Sequence, residues 1–277
     1  MKFHALLGSE VRRLLVRRAV RWGTAAVLAI VMLVVVVAAV RSTGTGPGDH
    51  TMRLNQLWAR NANGDVRSLL LAMSIYVFIL VVGVSATAVG GDYRAGTMGT
   101  ILTWEPRRPR VGLARLGAVM LVTLGIYVVT LGIFVGGWTL GAALRGSRAH
   151  LGPHFWTEVA GSFTRAAAAA VLLAVITAGL AFVTRGTVGA LITWFGYLIG
   201  VEAVLGQRVR SVQPGLLLGN FVAFVQGFDQ RFPSELRTDG TVVERMAQPG
   251  PGLIRVLVIA TAVAILGILL FRRRDVA

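Results

Sequence analysis

Six long apolar runs, separated by polar and basic stretches, dominate the pattern along this chain: Trp22 to Val40, Leu69 to Val89, Val111 to Gly137, Ala166 to Thr184, Thr187 to Leu205 and Leu253 to Phe271. Each is about 18 residues or longer, close to the roughly 20 residues an α-helix needs to cross a ~30 Å hydrocarbon core. The pattern predicts an all-α integral membrane protein with six transmembrane helices in one domain spanning residues 1–277. Composition agrees. With 55% hydrophobic residues, 14% charged and a mean hydropathy of +0.71, there is too little polar surface to coat a soluble globule.

The first run is longer than the ~7–15 residues of a signal-peptide core, and no small-x-small cleavage site follows it, so it is expected to remain as an anchor. Before it, Leu7, Val11, Leu14 and Leu15 recur at helical spacing on one face, with Arg12, Arg13 and Arg17 on another. Residues 1–21 therefore read as an interfacial helix whose arginines face anionic headgroups. The same basic flank predicts a cytoplasmic N-terminus. Six spans return the C-terminus to that side, where Arg272, Arg273 and Arg274 follow the last run.

The stretch "RSTGTGPGDHT" after Val40 reads as a flexible outer linker. In "RAHLGPHFWTE", His150, His154 and Glu158 raise a metal hypothesis, but Gly152-Pro153 prevents one helix from presenting all three. The stronger expectation is that Pro153 opens a helix, with Trp156 at the interface. Residues 207–252 form the longest stretch between spans. Their first half, "VQPGLLLGNFVAFVQGF", is too short to cross and suits an outer re-entrant segment. The second half is turn-rich, with a tight turn expected at Asp239-Gly240.

Charge and side-chain inventory narrow the chemistry. The net charge of +16 invites nucleic acid, but the basic residues lie between spans with no interleaved aromatic stripe, so no nucleic-acid partner is expected. The chain has no cysteine, which excludes disulfides and thiolate chemistry. Lys2 is its only lysine, which excludes a P-loop. HExxH, GxSxG and paired carboxylates on one span are all missing. Glu202, the acidic residue inside a predicted span, is expected near its outer end, solvated or paired with Arg208. Gly132 with Gly136, and Gly196 with Gly200, read as helix-packing positions.

Between the second and third runs lies "GGDYRAGTMGTILTWEPRRPR". Asp92 is a plausible N-cap, Tyr93 to Thr103 can form a short helix, and Glu105-Pro106 stops it. That helix would expose Tyr93, Met98, Ile101, Leu102 and Trp104 within a rim of Arg94, Arg107, Arg108 and Arg110. An apolar knob ringed by arginine is the composition of a partner interface.

The run "ATAVGGDYRAGTMGTILTWEPRRPRVGLARLGAV" resembles the cytoplasmic segment of bacterial ABC-2 type exporter permeases, matching an acidic residue, a basic residue and Gly-Thr, then a short helix and a Pro/Arg turn. Here these are Asp92, Arg94, Gly96 and Thr97, then Pro106, Arg107 and Arg108, with Asp92 where the family commonly has Glu. The resemblance implies that residues 92–104 are a coupling helix docking on a separate ABC ATPase subunit, which would hold the ATP and Mg while this chain binds no cofactor. It also implies a second permease copy or paralogue as partner, and a multi-pass location in the bacterial cytoplasmic membrane among its lipids. Glu202, Phe221 and Phe224 become candidates for the path or outer gate. The expected role is export of a lipophilic drug, antibiotic, peptide or lipid. A non-transporting anchor or sensor, and an integral membrane enzyme acting on lipid, are the alternatives.

Overall fold

The computed structural model describes residues 2–41, 65–145, 152–232, 235–236, 242–243 and 246–273. The predicted linker from Ser42 onward, His150 and the Asp239-Gly240 turn lie outside the described residues, while Arg41 ends a helix. Helix α1 spans Phe3–Val16, α2 Arg18–Arg41, α3 Asp65–Arg94, α4 Thr97–Trp104, α5 Arg108–Arg145, α6 Pro153–Thr184, α7 Thr187–Gly196, α8 Leu217–Gln226 and α9 Pro249–Arg273.

Among the described residues, six helical segments are long and apolar enough to span a membrane: Arg18–Val37, Met73–Arg94, Arg108–Gly141, Pro153–Thr184, Thr187–Val204 and Pro249–Arg273. Each coincides with one of the apolar runs. The fifth combines α7 with a π-helical continuation, Tyr197–Leu205, a rare widened helix that recurs at functional sites. Pro153 opens α6 from its first turn, as its sequence predicts.

Helix α6 is the axis, packing against α3, α5, α7, α8 and α9. Its buried face is built from small residues, including Ala166, Ala169, Ala170, Ala174, Ala178 and Gly179, so neighbouring backbones approach closely. A Cβ on Gly267 of α9 would come within 2.9 Å of the Gly179 carbonyl oxygen. Near the α6–α7 turn, a Cβ on Gly90 of α3 would lie 2.1 Å from the Thr187 backbone nitrogen. The pairs expected from sequence are not the ones used: around Gly132, Gly136, Gly196 and Gly200 a Cβ meets nothing within 4 Å.

Polar side chains tie the spans together where they are buried. Trp194 Nε1 donates to Thr177 Oγ1 at 2.7 Å, joining α7 to α6, and Ser74 and Tyr127 hydroxyls lie 2.9 Å apart between α3 and α5. Helix α1 lies across α5, then the chain bends at Arg17, whose extended backbone separates α1 from α2. At the far end of the bundle, α8 packs on α9 and α6. Two short antiparallel ladders follow, Gln230↔Ala247 with Arg231↔Met246, and Glu235↔Val243 with Leu236↔Val242.

Candidate functional site

The basic end of the bundle gathers α1, the end of α3, α4 and the start of α5 around one carboxylate. Asp92 lies inside the last turn of α3 rather than capping the next helix, correcting the N-cap expectation. The chain then breaks at Gly96, which adopts φ 65°, and α4 begins at Thr97. A left-handed conformation costs glycine nothing, so the short helix starts at Thr97, four residues later than the Asp92 cap would place it.

Asp92 is only 5% exposed. Its Oδ1 lies 2.6 Å from Arg17 Nη2, while its Oδ2 lies 2.8 Å from Arg13 Nη2 and 2.7 Å from Arg115 Nη2. Glu10 joins from α1, with Oε2 2.6 Å from Arg13 Nη2 and 3.6 Å from Arg115 Nε. Arg17 Nη1 also donates to the Thr87 carbonyl at 2.6 Å. Three guanidiniums and two carboxylates thus lock α1, α3 and α5 together. Burial of such charges is tolerated only because each faces an opposite charge at close range. Arg13 and Arg17 therefore turn into the protein, not toward headgroups as their sequence pattern implies; Arg12 remains exposed.

Helix α4 projects from this clamp. Met98 is buried at 1% exposure and Ile101 and Leu102 pack partly against the core, so the knob is narrower than expected from sequence. Tyr93 is also half-buried, edge-on to Phe271 with ring centroids 6.5 Å apart. Trp104 stands out at 86% exposed. Glu105, facing Arg110 across 3.5 Å, and Pro106 end the helix. Arg94 and Arg107 are exposed and Arg108 is half-buried. Beyond α4 an open basic groove of about 580 Å³ runs between Phe3, the Pro106 to Arg110 turn and Arg272.

At the far end Glu202 has partners other than Arg208. Its Oε1 accepts from the Tyr197 hydroxyl at 2.8 Å and from the Leu218 amide at 2.7 Å. The Tyr197 hydroxyl in turn accepts from the Leu217 amide at 3.0 Å. The first turn of α8, whose amides have no intrahelical acceptors, is thereby fastened to the π-helical segment. Asn220, fully buried, donates to the Pro214 and Leu216 carbonyls at 2.8 and 2.6 Å and accepts from Arg255 of α9 at 3.0 Å. Phe224 is buried and Phe221 packs edge-on against Phe78 at 5.1 Å. Glu202 and the two phenylalanines therefore belong to one α8-centred assembly.

Sequence reasoning missed Glu10 and Arg115. Arg115 carried a signal, since an arginine inside an apolar run is costly and marks an internal partner. Glu10 carried less, being one acid in a basic segment. On α6, His154 Nε2 and Glu158 Oε1 lie 3.6 Å apart. Among the described residues no group of three or more His, Asp or Glu is placed to hold a metal. No protein-family model and no curated protein matches this chain.

Proposed function

We propose that this chain is the permease subunit of an ATP-driven ABC-2 type exporter, with α4 as the coupling helix that docks on a separate ATPase subunit. The observation that carries the reading is α4 itself: a short helix between the second and third spans, rooted beside a buried charge clamp and tipped by an 86% exposed tryptophan. A lever that transmits motion needs a rigid root and an adhesive tip. Tryptophan and arginine are the residues most often found to dominate binding energy at interfaces, and the basic groove beside α4 extends the contact surface. The resemblance of residues 86–118 to ABC-2 permeases supports the same assignment.

In this reading the basic end is cytoplasmic and the membrane is the bacterial inner membrane. With a single lysine and no P-loop, the chain leaves ATP and Mg to its partner. Closure of the ATPase dimer draws two coupling helices together, and the clamp passes the displacement to α1, α3 and α5. The re-entrant segment α8, ten residues and ~15 Å long, covers the outer end of the path with Glu202, Phe221 and Phe224 in its frame. A second permease copy or paralogue completes the path. The open faces at Gly196 and Gly200 suit such an approach.

The test is affinity purification from native membranes in mild detergent, with mass spectrometry of what accompanies the chain. A P-loop ATPase should co-purify with wild type, and Trp104→Asp should reduce its recovery at least tenfold without changing the melting of the permease. Absence of an ATPase, under conditions that preserve other membrane complexes, overturns the reading. ATP-driven cargo movement in reconstituted vesicles then separates an exporter from an anchor.

A further inference from the structure

On the membrane-facing flank, away from α4 and the Asp92 clamp, a groove of about 550 Å³ lies in the angle between α1, α2 and α5. Its size falls within the ~300–1,000 Å³ of small-molecule sites. Leu15, Ala25, Leu28, Leu121, Ile126 and Val129 supply apolar walls. Gly125 leaves the floor open, because a Cβ there would meet nothing within 4 Å.

Polar groups occur along it in a definite order. Arg21 stands at the mouth, its Nη2 donating to the Val16 carbonyl at 2.9 Å. That bond orients the guanidinium while leaving most of its five donors uncommitted. Arg18, one turn earlier on α2, lies on the same face. Neither arginine has an ion-pair partner among the described residues. One turn deeper than Arg21, ~4.5 Å along the helix, Thr24 Oγ1 is buried with no hydrogen-bond partner. Below it the lining is hydrocarbon alone. From Leu121 to Val129 the groove extends ~12 Å along α5, comparable to one leaflet of a ~30 Å core.

We propose that this groove is a binding site for one anionic phospholipid: the phosphate on Arg21 and Arg18, an ester carbonyl on Thr24, and one acyl chain between Ala25, Leu28 and Gly125. Charge, ester and hydrocarbon succeed one another in the groove as they do in the lipid. Basic pockets between transmembrane helices are suited to anionic headgroups. The site would lie in the leaflet adjoining the basic end and would hold α1 and α2 at their present angle. It requires no ATPase partner, so it stands or falls separately from the role of α4.

The test uses the full chain in mild detergent, mixed with equal amounts of phosphatidylglycerol and phosphatidylcholine and measured by native mass spectrometry. Wild type should retain phosphatidylglycerol about tenfold over phosphatidylcholine. Gly125→Leu, which fills the floor, should abolish retention of both. Arg21→Gln should bring the two lipids to parity, and Arg12→Gln, in a separate groove lined also by Ser9 and Val16, should change nothing. Thermal melting of each variant reports its fold. Undiminished phosphatidylglycerol retention in both Gly125→Leu and Arg21→Gln overturns the proposal. So does equal retention of the two lipids by wild type, or a second copy of the chain crosslinked into the groove through a photoreactive residue at Leu28.

Discussion

Arg115 makes the case for reading single residues. At 2% exposure it is held by Asp92 at 2.7 Å, and Asp92 is held in turn by Arg13 and Arg17. Removing the shared carboxylate strands three guanidiniums with only Glu10 nearby, whereas removing Arg115 leaves the remaining charges paired. Asp92→Asn should therefore destabilise the protein by about 3–5 kcal/mol, the range for uncompensated buried charge. Arg115→Met should cost clearly less, and melting of the full chain in detergent compares them. A second contrast concerns packing. Gly90→Leu would drive a side chain into the Thr187 backbone, whereas Gly83 faces open space. The first should cost ~1–3 kcal/mol or more and the second almost nothing, read by the same melts. Asp92 was conspicuous in the sequence, but its partners were not. They come from α1, the bend after it and α5, 75 residues away in the case of Arg17, and no local pattern encodes that meeting.

Elements were legible in proportion to how local their causes are. The six spans are readable because a membrane helix satisfies its backbone within its own segment, which apolar length alone reveals. Which face turns inward is not readable in the same way. Lipid is as apolar as the protein interior, so core-facing and lipid-facing residues look alike; hence Gly179 and Gly267 mediate close packing while the more conspicuous glycine pairs remain open. The short apolar stretch after Arg208 did announce a helix too short to cross, but not the carboxylate that fastens it. Glu202→Leu should release the first turn of α8, speeding hydrogen exchange at the Leu217 and Leu218 amides at least tenfold. Glu202→Gln, which keeps an acceptor oxygen, should leave exchange near wild type. Equal exchange in both variants would remove Glu202 from that role.

At the scale of the whole molecule, α1, α4 and the last turn of α9 share one end, while α8 and the ladders share the other. The absence of cysteine makes this arrangement directly testable, since any introduced thiol is unique. In intact cells a membrane-impermeant maleimide should label Leu218→Cys at once and Trp104→Cys only after the membrane is opened. The reverse would invert the proposed orientation. A larger consequence follows from the alanine-rich surface of α6. Interdigitated large side chains make a ratchet, holding each helix in one register because ridges must climb out of grooves before anything moves. A shaft surfaced with methyl groups has shallow teeth. In the proposed transport role, α3 and α9 would slide and turn on it by small increments, the shear motion of packed helices, with α6, which shares with the α3 span the deepest burial among the described spans, as their bearing.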